Sequence, residues 1–88
     1  MNKIRRKELA RIVAKLEELE ALRQEIKEQL EAVMDEEQEA LDNMPESLQD
    51  GEKGSQMQEY IDAMESALDD LEEIDLDSIR DQIDDIVG

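Results

Sequence analysis

Between Leu9 and Met44 the apolar residues recur at alternating steps of three and four, and no glycine or proline precedes Pro45. With Leu9 as heptad position a, the a series is Leu9, Leu16, Arg23, Leu30, Glu37 and Met44, and the d series is Ile12, Leu19, Ile26, Val33 and Ala40. This spacing is typical of a coiled-coil seam, here interrupted at Arg23 and Glu37. We therefore predict one long helix over residues 4–43.

The second half of the chain predicts two more helices. Pro45 ends the first helix, because the residue before a proline avoids helical angles. Residues 44–55 are predicted as a loop that can include one turn around Glu46–Gln49. Ser55 and Gln58 have the spacing of a capping box, which predicts a helix over residues 56–74. Asp75 is placed as the N-cap of a short helix over residues 76–87. A single kinked helix over residues 56–87 is the alternative.

Both of these segments carry an apolar face at helical spacing. The residues of the two faces are Met57, Tyr60, Ile61, Met64, Leu68 and Leu71, then Leu76, Ile79, Ile83 and Ile86 or Val87.

Charge is distributed unevenly and favours a helical hairpin. Residues 1–27 carry eight Lys/Arg against five Glu, a net +3, and residues 28–88 carry two against 22 acids, a net −20. The basic residues sit at a helix N-terminus and several acids at a helix C-terminus, where the helix dipole disfavours each. An antiparallel hairpin relieves this mismatch by placing Arg11 and Lys15 beside Asp84 and Asp85.

The predicted fold class is therefore all-α: one antiparallel, coiled-coil-like hairpin domain over residues 1–88. Two helices bury little apolar surface, so we also expect a dimer that closes a four-helix bundle.

Composition argues against several classes of function. The chain has no Cys and no His, so the usual nucleophile–base pairs, zinc–thiolate sites and Glu-x-x-His di-iron sites are ruled out. We expect no enzyme activity, no cofactor and no metal site. We also expect no membrane segment, because the apolar runs are short, and no direct nucleic-acid binding, because the net charge is −17. We expect a cytoplasmic location.

The acidic surface of the second half is the predicted partner-binding site. Residues 55–88 carry 12 acids over about 50 Å of helix, or about one per 4 Å, against about one charge per 1.7 Å in duplex DNA. The candidate residues are Glu59, Asp62, Glu65, Asp69, Asp70, Glu72, Glu73, Asp77, Asp81, Asp84 and Asp85. The simpler alternative is a solvated face that only keeps the chain soluble.

One segment resembles a known group of proteins. The run Leu-Asp-Asn-Met-Pro-Glu-Ser-Leu-Gln at 41–49, with Met-Gln-Glu-Tyr-Ile-Asp-Ala-Met-Glu-Ser-Ala-Leu-Asp-Asp-Leu-Glu at 57–72, is similar to small uncharacterised acidic helical proteins of phages and prophages of Gram-positive bacteria. The resemblance covers roughly residues 5–75 and implies no catalytic residue. It implies an accessory protein that binds and disables host machinery.

Three hypotheses follow from these features. The first is a phage or mobile-element factor whose carboxylates block a basic surface of a host defence or DNA-processing protein, including a groove that binds nucleic acid. The second is a structural scaffold or assembly factor that acts through its apolar seam at Leu68, Leu71, Ile79 and Ile83. The third, a small-molecule binder or enzyme, is disfavoured by the lack of reactive side chains. Residues 45–54 either pack against the end of the helices or form the recognition element.

Overall fold

The computed structural model describes all 88 residues and contains four helices and no strand. They are α1 (Lys3–Asp42), α2 (Glu46–Gln49), α3 (Glu52–Glu73) and α4 (Leu76–Val87). The predicted fold class, an all-α antiparallel helical hairpin, is confirmed. The predicted dimer and the four-helix bundle stay predictions, because the structure contains one copy of the chain.

Helix α1 begins and ends within one residue of its predicted bounds. The side-chain oxygen Oδ1 of Asn2 accepts a hydrogen bond from the backbone N–H of Arg5 at 2.9 Å, which caps the helix at its N-terminus. At the other end, the N–H of Asn43 donates to the carbonyl of Glu39 at 3.0 Å and that of Met44 to Leu41 at 3.1 Å. Pro45 follows at the N-cap position of α2 and prevents continuation of α1.

The predicted capping box at Ser55 and Gln58 is wrong. Helix α3 begins at Glu52, so Ser55 lies inside the helix and its N–H donates to the carbonyl of Gly51 at 3.0 Å. The side chain of Gln58 donates instead to Asp62 at 2.9 Å. The helical turn predicted within the loop, around Glu46–Gln49, is present as α2.

The N-cap at Asp75 is confirmed. Its carboxylate accepts a hydrogen bond from the backbone N–H of Ser78 at 3.0 Å, with φ −102° and ψ 78° at Asp75. The helical structure is therefore interrupted between α3 and α4, which excludes the alternative of a single kinked helix.

The structure divides into two compact units. Unit 1 consists of Met1–Glu25 and Ile74–Gly88, so it pairs the start of α1 with α4. Its buried residues are Val13 and Leu76, and Leu9, Leu16 and Ile83 are half-buried beside them. The expectation of a single domain stays a prediction.

Unit 2 consists of Ile26–Glu73 and pairs the end of α1 with α2 and α3. Its buried apolar side chains are Leu41, Ile61 and Leu68. The Nζ atom of Lys27 lies 2.6 Å from a carboxylate oxygen of Glu72. This ion pair sets the antiparallel register of α1 and α3. The predicted inward face of α3 is confirmed except at Tyr60, which is 52% exposed.

The predicted a/d seam of α1 is only half correct. All six residues of the a series, including Leu9, are half-buried. In the d series, by contrast, Ile12, Leu19, Ile26 and Val33 are 44–52% exposed. The second inward series is instead position e, where Val13 and Leu41 are buried. A single partner helix covers only a narrow stripe of α1. Positions a and e both fall within this stripe, because they lie about 40° apart around a helix of 3.6 residues per turn. The d stripe is left outside it.

The predicted charge pairing between the chain's two ends does not form ion pairs. Arg11 bonds Glu8 of its own helix, with 2.8 Å between Nη1 and Oε1. Lys15, Asp84 and Asp85 are exposed and make no ion pair. The ends do share unit 1, but these surface side chains stay solvated, since an exposed pair gains little.

Candidate functional site

The structure divides the eleven predicted partner-binding residues between the two units. Seven of them lie on α3 in unit 2 and form what we call the α3 ridge: Glu59, Asp62, Glu65, Asp69, Asp70, Glu72 and Glu73. Four lie on α4 in unit 1: Asp77, Asp81, Asp84 and Asp85. All eleven are exposed.

The α3 ridge follows from the spacing of the apolar residues on the same helix. Ile61 and Leu68 point into unit 2, seven residues apart, and Met64 and Leu71 lie beside them. The acids occupy the positions between these, so they fall on the outer and lateral surface of α3. Seven carboxylates span 14 residue steps, or about 21 Å of helix.

Few cations oppose the α3 ridge. Unit 2 contains Lys27 and Lys53 against 17 acids, a net charge of 2 − 17 = −15. Lys27 pairs with Glu72, and Asp62 accepts a hydrogen bond from Gln58. The other five ridge carboxylates make neither an ion pair nor a hydrogen bond, so their charge is available to a partner.

The acids of α4 are partly neutralised. Nη2 of Arg80 lies 3.0 Å from Oδ1 of Asp81, and Nη1 lies 3.6 Å from Oδ1 of Asp77. The hydrogen bond and charge of Asp81 raise the pKa of Arg80 above its usual value, with smaller contributions from Asp77 and Glu17. Asp84 and Asp85 keep unopposed charges, and unit 1 as a whole has eight cations and ten acids, a net charge of −2.

Arg23 shows how the seam of α1 accepts a charge. It occupies an a position with only 13% of its side chain exposed, and its guanidinium bonds both carboxylate oxygens of Glu20, with 3.0 Å between Nε and Oε2. Hydrogen bonds from Arg23 and then Gln24 lower the pKa of Glu20. The cost of an arginine in the seam is reduced because its charge is compensated in place.

Residues 45–54 pack against the end of α1. Nε2 of Gln49 donates to the carbonyl of Met44 at 2.8 Å and to that of Asp42 at 3.4 Å, so it satisfies acceptors that the helix end leaves free. Gly54 is buried against the backbone of Gln49. The specific sequence of this turn is thus accounted for by packing, the first of the two roles considered for it.

An open concave surface adjoins this turn. Its volume is about 460 Å³, and it is lined by Gln38, Leu41, Asp42, Gln49, Asp50, Gly54, Ser55 and Gln58. These are mainly amide and carboxylate side chains with no nucleophile–base pair among them. The surface has the chemistry to accept hydrogen-bond donors, and sequence reasoning did not identify it because it forms only when Gly54 approaches Gln49.

No group of three Asp or Glu side chains is arranged to hold a metal ion. None of the four helices combines the length and the apolar character that crossing a bilayer requires. Comparison with protein-family models, curated proteins and solved structures finds no match to this chain. The resemblance of residues 41–49 to phage proteins therefore stays a hypothesis.

Proposed function

We propose that the chain is a non-enzymatic binding protein whose α3 ridge docks onto a basic surface of another protein. The observation that carries the proposal is the net charge of −15 on unit 2, with five exposed ridge carboxylates that have no partner within the chain. A surface held on one helix face requires no rearrangement to bind, so little of the interaction is lost to ordering. Opposite charge also speeds encounter and makes binding sensitive to salt.

The partner we propose is a host protein with a basic groove, including one that binds nucleic acid. The ridge places seven charges over about 21 Å, about one per 3 Å, which is of the same order as one per 1.7 Å in duplex DNA. The proposal includes a phage or mobile-element origin and action in the host cytoplasm, where a chain without cysteine needs no disulfide.

The test compares two variants of equal charge. Reversal of Glu65, Asp69 and Glu73 to lysine changes the ridge, and reversal of Glu18, Glu25 and Glu39 to lysine changes exposed carboxylates of α1; each takes the net charge from −17 to −11. The three chains are used to capture proteins from host lysate at low and high salt, and the affinity of each captured protein is then measured.

We expect the wild type and the α1 variant to bind the same basic protein at low salt, and the ridge variant to lose it while its helical circular dichroism is retained. Equal binding by the ridge variant would show that the carboxylates only keep the chain soluble. Equal loss in both variants would show that net charge, rather than the α3 ridge, governs the interaction.

A scaffold that acts through an apolar surface is the second candidate, favoured by the half-exposed aliphatic side chains of α1 and α4. Of the four seam residues predicted for it, Leu68 is buried, Leu71 and Ile83 are half-buried and Ile79 is 46% exposed. Only Ile79 is therefore placed for direct contact. In this case a substitution at Ile79 would abolish the function, and the ridge reversal would leave it unchanged.

A further inference from the structure

The exposed aliphatic side chains of unit 1 include two pairs that are regularly spaced along their helices. Ile12 and Leu19 on α1 and Ile79 and Ile86 on α4 are each 44–49% exposed, and within each pair the residues lie seven apart. Residues seven apart share one side of a helix. Each helix therefore presents a short apolar stripe besides the one it buries.

The two stripes lie on the same side of unit 1. Leu19 comes three residues after the inward residue Leu16 and four before Arg23, and Ile79 comes three after Leu76 and four before Ile83. The offset from the inward face is thus the same on both helices. Because the segments are antiparallel, equal rotations carry both stripes to one side.

The stripes are also level with each other. The two segments of unit 1, Met1–Glu25 and Ile74–Gly88, run antiparallel, so Ile79, five residues after Ile74, lies about level with Leu19, six residues before Glu25. Seven residues later on α4 and seven earlier on α1, Ile86 lies about level with Ile12. The four side chains make one apolar patch, which we call the unit 1 patch. Asp77, Asp81 and Asp84 lie on the opposite side of α4, since they are two, two and five residues from Ile79 rather than three, four or seven.

We propose that the unit 1 patch binds the same patch of a second copy of this chain, with α1 of one copy lying along α4 of the other. Charge argues for a second copy at this place: unit 1 carries −2 and unit 2 carries −15, so two copies repel each other least through unit 1. Charge also selects the orientation. Residues 1–25 carry 7 − 5 = +2 and residues 74–88 carry 1 − 5 = −4, so α1 against α4 is attractive and α4 against α4 is not.

The orientation assigns partners to two groups that have none within one copy. Lys15 and Asp85 are exposed and make no ion pair within the chain. Lys15 lies beside the patch, three residues from Ile12 and four from Leu19, and Asp85 adjoins Ile86 in the sequence. With α1 of one copy along α4 of the other, Lys15 of each copy lies level with residues 82–85 of its neighbour. The pairing proposed between ends of one chain is thereby made between two chains.

The first experiment is analytical ultracentrifugation of the full chain at micromolar concentrations. The wild type is expected at twice 10.2 kDa, and Leu19→Gln combined with Ile79→Gln is expected to weaken the dimer by about tenfold or more, since each copy loses two buried aliphatic contacts. Leu48→Gln is the matched control, because Leu48 is 52% exposed and lies in unit 2. A wild type that sediments at 10.2 kDa, or a control that weakens the dimer equally, would overturn the proposal.

Two further measurements distinguish loss of the dimer from loss of the folded structure. A dimer makes the thermal midpoint of the wild type rise with protein concentration, and a midpoint that does not change with concentration counts against it. Lys15→Asp is expected to weaken the dimer, and adding Asp85→Lys is expected to restore it. Failure of the second change to restore the dimer would refute the orientation of α1 along α4.

Discussion

Replacing Gly54 by alanine separates helix propensity from packing. Alanine is favoured over glycine inside a helix by about 1 kcal/mol, so an unconstrained site in α3 would be stabilised. In this structure a Cβ atom at residue 54 would lie 2.8 Å from the Cα of Gln49 and closer still to its carbonyl. These are backbone atoms of α2, which cannot rotate away as a side chain can, so α2 and α3 must separate.

The size of the effect follows from the two opposing contributions. Overpacking costs about 1–3 kcal/mol, and the rigid backbone contact places Gly54→Ala at the upper end. Subtracting about 1 kcal/mol for propensity leaves a net loss of about 2 kcal/mol. A domain of 60–100 residues shifts its Tm by about 4–8 °C for each kcal/mol, so we expect a fall of about 8–16 °C.

Thermal unfolding followed by circular dichroism at one fixed protein concentration measures this shift. Ser55→Ala is the matched control, because Ser55 is exposed in the same helix and its hydroxyl makes no hydrogen bond. We expect it to leave the Tm unchanged or slightly raised, whereas removal of a true N-cap costs about 1 kcal/mol. A Gly54→Ala variant with a Tm above that of the wild type would refute the close approach of α2 and α3.

Two more substitutions test local interactions. Asp75→Ala removes the acceptor of the Ser78 N–H and is expected to lower the free energy of unfolding by about 1 kcal/mol; Asp69→Ala, in the interior of α3, should not lower it, and equal losses would contradict the cap. Glu20→Gln is expected to destabilise the chain at pH 7. The pKa of Glu20 is lowered in the folded state, so its contribution is present above the unfolded pKa and is lost as pH falls through the folded pKa. The gap in chemical-denaturation stability between wild type and Glu20→Gln should therefore close at acidic pH, and a gap that stays constant would argue against the Arg23 contact.

The local signals of the sequence predicted most of the helical structure. The uninterrupted periodicity predicts α1 to within a residue at each end, and the Asp75 cap marks the start of α4 correctly. Helix α3 was predicted to begin four residues late, because Gly54 was read as a loop residue. Residue 54 must be glycine because the backbone of Gln49 approaches it closely. This is a tertiary contact, which no local sequence pattern indicates.

Periodicity could not identify which apolar stripe is buried. Leu16 and Leu19 have the same chemistry and both fit a helical repeat, yet one is half-buried and the other is 48% exposed. The choice depends on the rotation of α1 against its partner, which two-helix packing sets through Val13 and Leu41. The acidic residues were identified from composition alone, but their division into an unopposed α3 ridge and an α4 set paired with Arg80 required the fold.

The charges of the two units allow the two proposed surfaces to be measured separately. Binding through the α3 ridge is attraction between opposite charges, so added salt should weaken it. Two copies of a chain with net charge −17 repel each other, so added salt should strengthen contact through the unit 1 patch, whose interior is apolar. A salt titration that weakens capture of a basic partner while increasing the dimer fraction therefore supports two distinct surfaces. If both fell together, attraction between charges of α1 and α4 rather than burial of the unit 1 patch would hold the dimer together, and the proposed apolar interface would be refuted.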